Sequence, residues 1–236
     1  MLTLAIETAT DRSSVVVTRD GDELAGWREF THQDLCRRLA GEVGRALAGA
    51  RVAFDDLDLV CVGLGPGSFT SLRVGLATAK GICLARGLPL VGVSSLAAMA
   101  WQRRAWIEGL ACPVLDARRG EVYAGVFRAG EDGVARVQEE FVADAAGLAE
   151  RIRQFSEPVT LFGQTDLIPL AEIEAALAGG APILRDQPIL PDAAAVAHLG
   201  EVTFRPHRGD DLAALRPIYV RKSYAEEKGD LDLGLR

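Results

Sequence analysis

The feature that most constrains the fold of this chain is that one order of apolar runs and turns occurs twice. In the first half, an apolar strand at residues 2–6 ends in an acid, Glu7. A polar turn then leads to a second strand at 14–18, the hairpin signal Asp20-Gly21-Asp22 and a third strand near 24–30. A helix from about Gln33 carries Leu35, Leu39, Val43, Ala46 and Leu47 on one face. Next come a strand at 57–62, a glycine-rich loop, a helix to about Arg86, a strand at 88–93 and a helix opened by Ser94 or Ser95. The second half repeats this order. A strand at 111–115 ends in Asp116, the turn Ala117-Arg118-Arg119-Gly120 follows, and strands are expected at 121–127 and 134–142 around Gly130-Glu131-Asp132-Gly133. Asp144 caps a helix bearing Leu148, Ile152 and Phe155; then a strand at 159–162, a helix at 168–178, a short strand at 182–184 and a helix at 192–199 complete the unit.

Each half therefore reads β-β-β-α-β-α-β-α. Strands joined by tight turns run antiparallel, whereas strands separated by helices need crossovers and run parallel. Two such units, each with an acid closing its first strand, resemble the layout of the ASKHA superfamily of sugar kinases, heat-shock ATPases and actin. The expected class is thus α/β with two tandem domains, 1–105 and 106–210, and a tail, 211–236, that packs back across them. At 236 residues with 49% hydrophobic content, the chain is long enough to fill two cores.

The junction between the strand at 57–62 and the next helix reads Gly63-Leu64-Gly65-Pro66-Gly67-Ser68-Phe69. Glycine and proline there hold a backbone that side chains would obstruct, and Ser68 is placed to cap the helix from Phe69. Such a turn suits either internal close packing or the approach of an anion or partner. It matches neither a dinucleotide fingerprint nor a P-loop. A net charge of −7 argues against independent, tight nucleic-acid binding. The cysteines Cys36, Cys61, Cys83 and Cys112 lack C-x-x-C spacing and fall in strand or helix patterns, so buried thiols are expected. With no leader-like or membrane-spanning segment in view, the expected location is the cytoplasm.

Chemistry finds few candidates. Glu7 with Thr8, and Asp116 from the other half, would face a cleft between domains and could reach a cation through water. End-of-strand structural roles are the stronger expectation for both acids, since the loop Glu7-Thr8-Ala9-Thr10-Asp11 has no glycine to let phosphate approach. The three histidines, His32, His198 and His207, form no H-x-x-x-H pair, and no G-x-S-x-G elbow is present. No catalytic residue, metal ligand or cofactor is expected, and the chain reads as a superfamily member without its chemistry.

Residues Gly65 to Gly75, with Ala79-Lys80-Gly81 after them, closely resemble the motif of the bacterial TsaB (YeaZ) family. Further pieces of the resemblance are Ile6-Glu7-Thr8-Ala9-Thr10, His32, Asp116 to Tyr123, and Pro217-Ile218-Tyr219-Val220-Arg221. It spans essentially the whole chain; Ser71 departs from it, standing where the family usually has glycine. The resemblance implies a role in making threonylcarbamoyladenosine beside the anticodon of tRNAs reading codons that begin with A. In that family's system the catalytic paralogue TsaD carries the histidine-pair metal site. The TsaB protein is a non-catalytic partner that binds TsaD through its N-terminal domain, and an ATPase, TsaE, joins them. Contact with tRNA would come only through that complex. A phosphotransferase or ATPase using Glu7 and Asp116 is the competing class, and a metallopeptidase-like enzyme a third.

The helix after the glycine junction carries a stripe of small residues, Ser71, Gly75, Ala79 and Cys83, flanked by Leu72 and Leu76. From the pattern alone, close packing against the chain's own sheet and contact with a partner helix are equally open. The resemblance favours the partner, with Leu35, Leu39 and Val43 of the preceding helix completing the face. The same face could pair with itself in a C2 homodimer when the chain is alone.

Overall fold

The computed structural model describes residues 1–31, 34–131, 133–165, 170–177, 189–205 and 209–220. The first sheet begins as a meander of β1 (Leu2–Glu7), β2 (Arg12–Arg19) and β3 (Asp22–Phe30). Asp20 and Gly21, both at positive φ, make the two-residue turn between β2 and β3, whose twist matches that of the flanking strands. After α1 (Leu35–Ala50), β4 (Leu59–Gly63) adds parallel to β1. Then α2 (Phe69–Arg86) crosses over to β5 (Leu90–Val93), and α3 (Ser95–Arg103) follows. The sheet order is β3-β2-β1-β4-β5.

The second sheet repeats this with β6 (Leu110–Arg118), β7 (Glu121–Gly130), β8 (Gly133–Ala143) and β9 (Val159–Gly163), in the order β8-β7-β6-β9. Its helices are α4 (Ala145–Ile152), α5 (Leu170–Leu177) and α6 (Ala193–Thr203). Asp144 and Asp192 cap α4 and α6, each accepting an N–H of the first turn. This is the doubled ASKHA-like layout expected from the repeat. The expected strand at 182–184, His32, Gln33 and residues 221–236 lie outside the described residues.

Helices exchange sides between the halves. One face of the first sheet is covered by α1 and α2, and its other face by α6. The second sheet is covered by α4 and α5 on one face and by α3 on the other. Thus α3 and α6 lie side by side between the sheets, each supplied by the opposite half. β1 and β4 are covered on both faces and so are buried at every position; β4 is apolar throughout, and β1 is apolar but for Thr3 and Glu7.

Two expectations need correcting. The strand expected from residue 57 begins at Leu59, because residues 54–56 form a short helical turn and Asp58 instead accepts the Leu2 N–H at 2.7 Å. Of the thiols, Cys61, Cys83 and Cys112 are buried as expected, but Cys36 is exposed, since it sits on the outward side of α1. Among the described residues no helix is long and apolar enough to cross a membrane.

Candidate functional site

The glycine junction packs inward. A Cβ at Gly67 would collide with the Ala9 carbonyl, which instead accepts the Ser68 N–H at 2.7 Å. The Ser68 hydroxyl accepts the Ser71 N–H and so caps α2 as the sequence suggests. Gly65 adopts a φ of 89°, and its N–H and C=O both bond to Ser95, at 3.1 Å to the hydroxyl and 2.8 Å from the amide. These backbone groups are engaged within the chain: the loop ties β1, β4 and α3 together.

Glu7 lies at the centre of this tie. It is wholly buried; one carboxylate oxygen accepts the Ser95 hydroxyl at 2.7 Å and the other the Ala9 N–H at 2.6 Å. Burial raises its pKa to about 7 against the pull of those two hydrogen bonds, and the charge of Asp192 adds to the rise. Thr8 beside it donates to the Ser71 carbonyl at 2.9 Å, pinning the first turn of α2. Asp116 sits on the other sheet. Its carboxylate accepts the Arg118 N–H at 2.8 Å and pairs with the Arg118 guanidinium at 3.3 Å, while its own N–H donates to Gln164. Arg118 and Arg119 both hold positive φ, and this clamp fixes the first of them in the hairpin. Each acid thus closes its own turn. Among the described residues no three metal-ligating side chains gather.

The helix face expected to meet a partner is turned inward. Leu72, Gly75, Leu76, Ala79 and Cys83 are buried and Ser71 is half-buried; Leu35, Leu39 and Val43 of α1 are buried in the same core. Gly75 is glycine because a Cβ there would run into the Thr8 side chain. The small-residue stripe therefore lets α2 settle closely on its own sheet and on the β1–β2 turn, which corrects the expectation that these residues are presented outward.

The opposite side of α2 is exposed and also mostly small or apolar: Ala77, Gly81, Leu84 and Ala85 are open, with Val74 half-buried among them. A side chain at Gly81 would meet nothing within 4 Å, and Leu84 is 72% exposed. Next to it, α1 shows Cys36, Ala40, Gly44 and Ala48, again exposed at four-residue intervals. The signal in the sequence for this second face is Gly81, which lies inside a helix where nothing internal requires it. Ser95, the partner of Glu7, carried no such signal, because as a helix-opening serine it looked like a cap.

Comparisons with known proteins agree with this layout. A family model described as "TsaD: tRNA N6-adenosine threonylcarbamoyltransferase" matches residues 29–159. An Escherichia coli protein named tRNA threonylcarbamoyladenosine biosynthesis protein TsaB is 32% identical over 97% of this chain and 98% of its own length. A Bacillus subtilis protein of the same name is 28% identical, covering 97% of each chain. The solved structure of YeaZ from Pseudomonas aeruginosa superposes with a TM-score of 0.77 at 23% identity, covering 92% of this chain and 99% of that one.

Proposed function

Since the chain belongs to the TsaB (YeaZ) family, we propose that it serves tRNA threonylcarbamoyladenosine biosynthesis as a non-catalytic partner of a TsaD-type threonylcarbamoyltransferase, docking through the outward face of α2 beside α1. One observation carries this reading. α2 carries small and apolar residues on both sides, and among the described residues only one side is covered. Apolar helix surface of this kind belongs in an interior. Glycine at position 81 costs about 1 kcal/mol against alanine in a helix interior, so close approach of another helix backbone is the compensation that gives it a purpose. The sealed state of Glu7 and the clamp on Asp116 support a scaffold over an enzyme, and any tRNA contact then comes through the assembled complex.

The experiment is to mix the purified protein with the transferase and measure heteromer mass by light-scattering chromatography, with Gly81→Arg alongside. Wild type should form the heteromer. Gly81→Arg, whose side chain enters open space, should stay folded and fail to bind. Ala79→Arg is a poor probe, since Ala79 is fully buried in the chain's own core. Full binding by a folded Gly81→Arg variant would remove this face as the docking site. ATP turnover by the pure protein, abolished in Asp116→Ala, would remove the scaffold role.

A further inference from the structure

At the amino-terminal end of the outward face of α2, Phe69, Arg73 and Tyr219 form one exposed cluster. The Arg73 guanidinium carbon lies 3.7 Å from the Phe69 ring centroid and 5.8 Å from that of Tyr219. The two rings are 5.3 Å apart, and Arg73 Nε donates to the Tyr219 hydroxyl at 3.0 Å. Tyr219 is brought there by a strap of chain that is itself firmly held. Asp210 donates to the Leu90 carbonyl and accepts from the Gly92 N–H, Lys80 Nζ donates to the Leu215 carbonyl at 2.8 Å, and Ile218 N–H donates to the Leu64 carbonyl at 2.8 Å. Both rings remain well exposed, Phe69 at 37% and Tyr219 at 45%.

This arrangement prepares Arg73 for something outside the chain. The Nε–H is used inside the cluster, stacking on the rings restricts the side chain, and the two terminal nitrogens make no hydrogen bond or ion pair among the described residues. A planar guanidinium with its fork left open matches a carboxylate or phosphate in two-point geometry. Aromatic and arginine side chains held in this way are the residue types that dominate binding at interfaces. The position near the start of α2 adds a favourable macrodipole for an anion. Of the two anions, the surroundings favour a carboxylate. Along the same face the next exposed residues are Ala77, Gly81 and Leu84, which suit a packed helix rather than a polyanion. Among the described residues, Lys80 of the same helix is occupied by the Leu215 carbonyl, and Arg86 at its far end by Asp55. The chain as a whole carries −7.

We infer that Phe69, Arg73 and Tyr219 anchor the transferase partner by receiving an aspartate or glutamate side chain from the partner helix laid along α2, with the two rings covering the pair from water. The inference rests on the docking role proposed above and adds the chemistry the partner must present. The test measures transferase affinity by calorimetry for wild type, Arg73→Ala, Arg73→Lys and Gly81→Arg, with tRNA affinity of each assembled complex in parallel. Arg73→Ala should weaken the heteromer about 30-fold or more, the range of an interface hot spot, with an unchanged thermal midpoint for the isolated protein. Arg73→Lys keeps the charge but loses the fork and should recover only part of the affinity. If Arg73→Ala binds as wild type while Gly81→Arg fails, the anchor is refuted and the docking face stands. If both bind as wild type, or wild type itself forms no heteromer, the docking face falls and the anchor with it. If Arg73→Ala keeps the heteromer but lowers tRNA affinity and flattens its salt dependence, the anion is an RNA phosphate and the carboxylate assignment is refuted.

Discussion

Replacing Glu7 by glutamine separates the acid's charge from its hydrogen bonds. Glutamine keeps the shape: its carbonyl can accept the Ala9 N–H, and its amide can donate to the Ser95 oxygen, which already accepts from Gly65. What it removes is ionisation. Burial raises the folded-state pKa of Glu7 from 4.5 to about 7. The folded chain therefore holds a proton that the unfolded chain releases above about pH 4.5. The resulting stability is fully present below the unfolded pKa and is lost as pH rises through the folded one. Across the whole window the loss is about 3 kcal/mol, and between pH 5 and pH 8 it is about 2.5 kcal/mol.

Glu7→Gln carries no such loss, so its stability relative to wild type should rise by about 2.5 kcal/mol from pH 5 to pH 8. Urea unfolding followed by fluorescence of Trp27, Trp101 and Trp106 gives this difference directly. For a chain of this size it corresponds to a shift of about 1 M in the midpoint difference. Any fixed effect of the amide on packing cancels, because only the change between the two pH values is read. A difference that stays constant within about 0.5 kcal/mol would refute the reasoning: Glu7 would then ionise as if solvated, and the seal formed with Ser95 and Ala9 would not hold in solution.

Other perturbations probe the same frame. Gly75→Ala should destabilise by about 1–3 kcal/mol in urea unfolding, because the added methyl meets the Thr8 side chain and overrides the usual helical gain from alanine. Asp192→Ala should cost about 2 kcal/mol, since it strips the cap from α6, takes the anion from Arg12, which reaches it at 3.0 Å, and leaves Arg28, which reaches it at 2.7 Å, with Glu23 alone. Maleimide should label the native chain at Cys36 alone, as the other three thiols are buried and burial pushes two of them, Cys83 and Cys112, up to about 12. Mass spectrometry reads that stoichiometry, and bound transferase should slow the labelling, because Cys36 heads the outward stripe of α1.

The fold was largely legible because the signals that define it are local and agree with one another. Asp20-Gly21 makes a hairpin wherever it falls between strands, and Asp144 and Asp192 cap the helices they precede. A uniformly apolar run such as β4 announces a strand covered on both sides. What the repeat could not announce is the exchange of α3 and α6 between the halves. That arrangement depends on which sheet face each amphipathic helix finds, and both sheets offer a similar one. The Glu7–Ser95 bond spans 88 residues and fell outside any local pattern for the same reason.

The outward side of α2 shows where local reading reaches its limit. Small residues recur at four-residue spacing on two faces of this helix: Ser71, Gly75, Ala79 and Cys83 on one, Ala77, Gly81 and Ala85 on the other. Periodicity alone ranks neither stripe, and the reading that picks out the first passes over the second, since a helix that can be approached closely from two sides presents the same spacing on each. What breaks the tie is tertiary. Thr8 comes from a turn between strands far away in sequence and fills the space over Gly75, so that face is the one the chain uses itself. Gly81 has no such neighbour. A helix whose two close-packing faces are both built from small residues, with only one of them covered by the described residues, is suited to join two bodies. The inner stripe fixes α2 to its own sheet, and that rigidity lets the outer stripe offer a partner a surface whose ordering cost has already been met in folding.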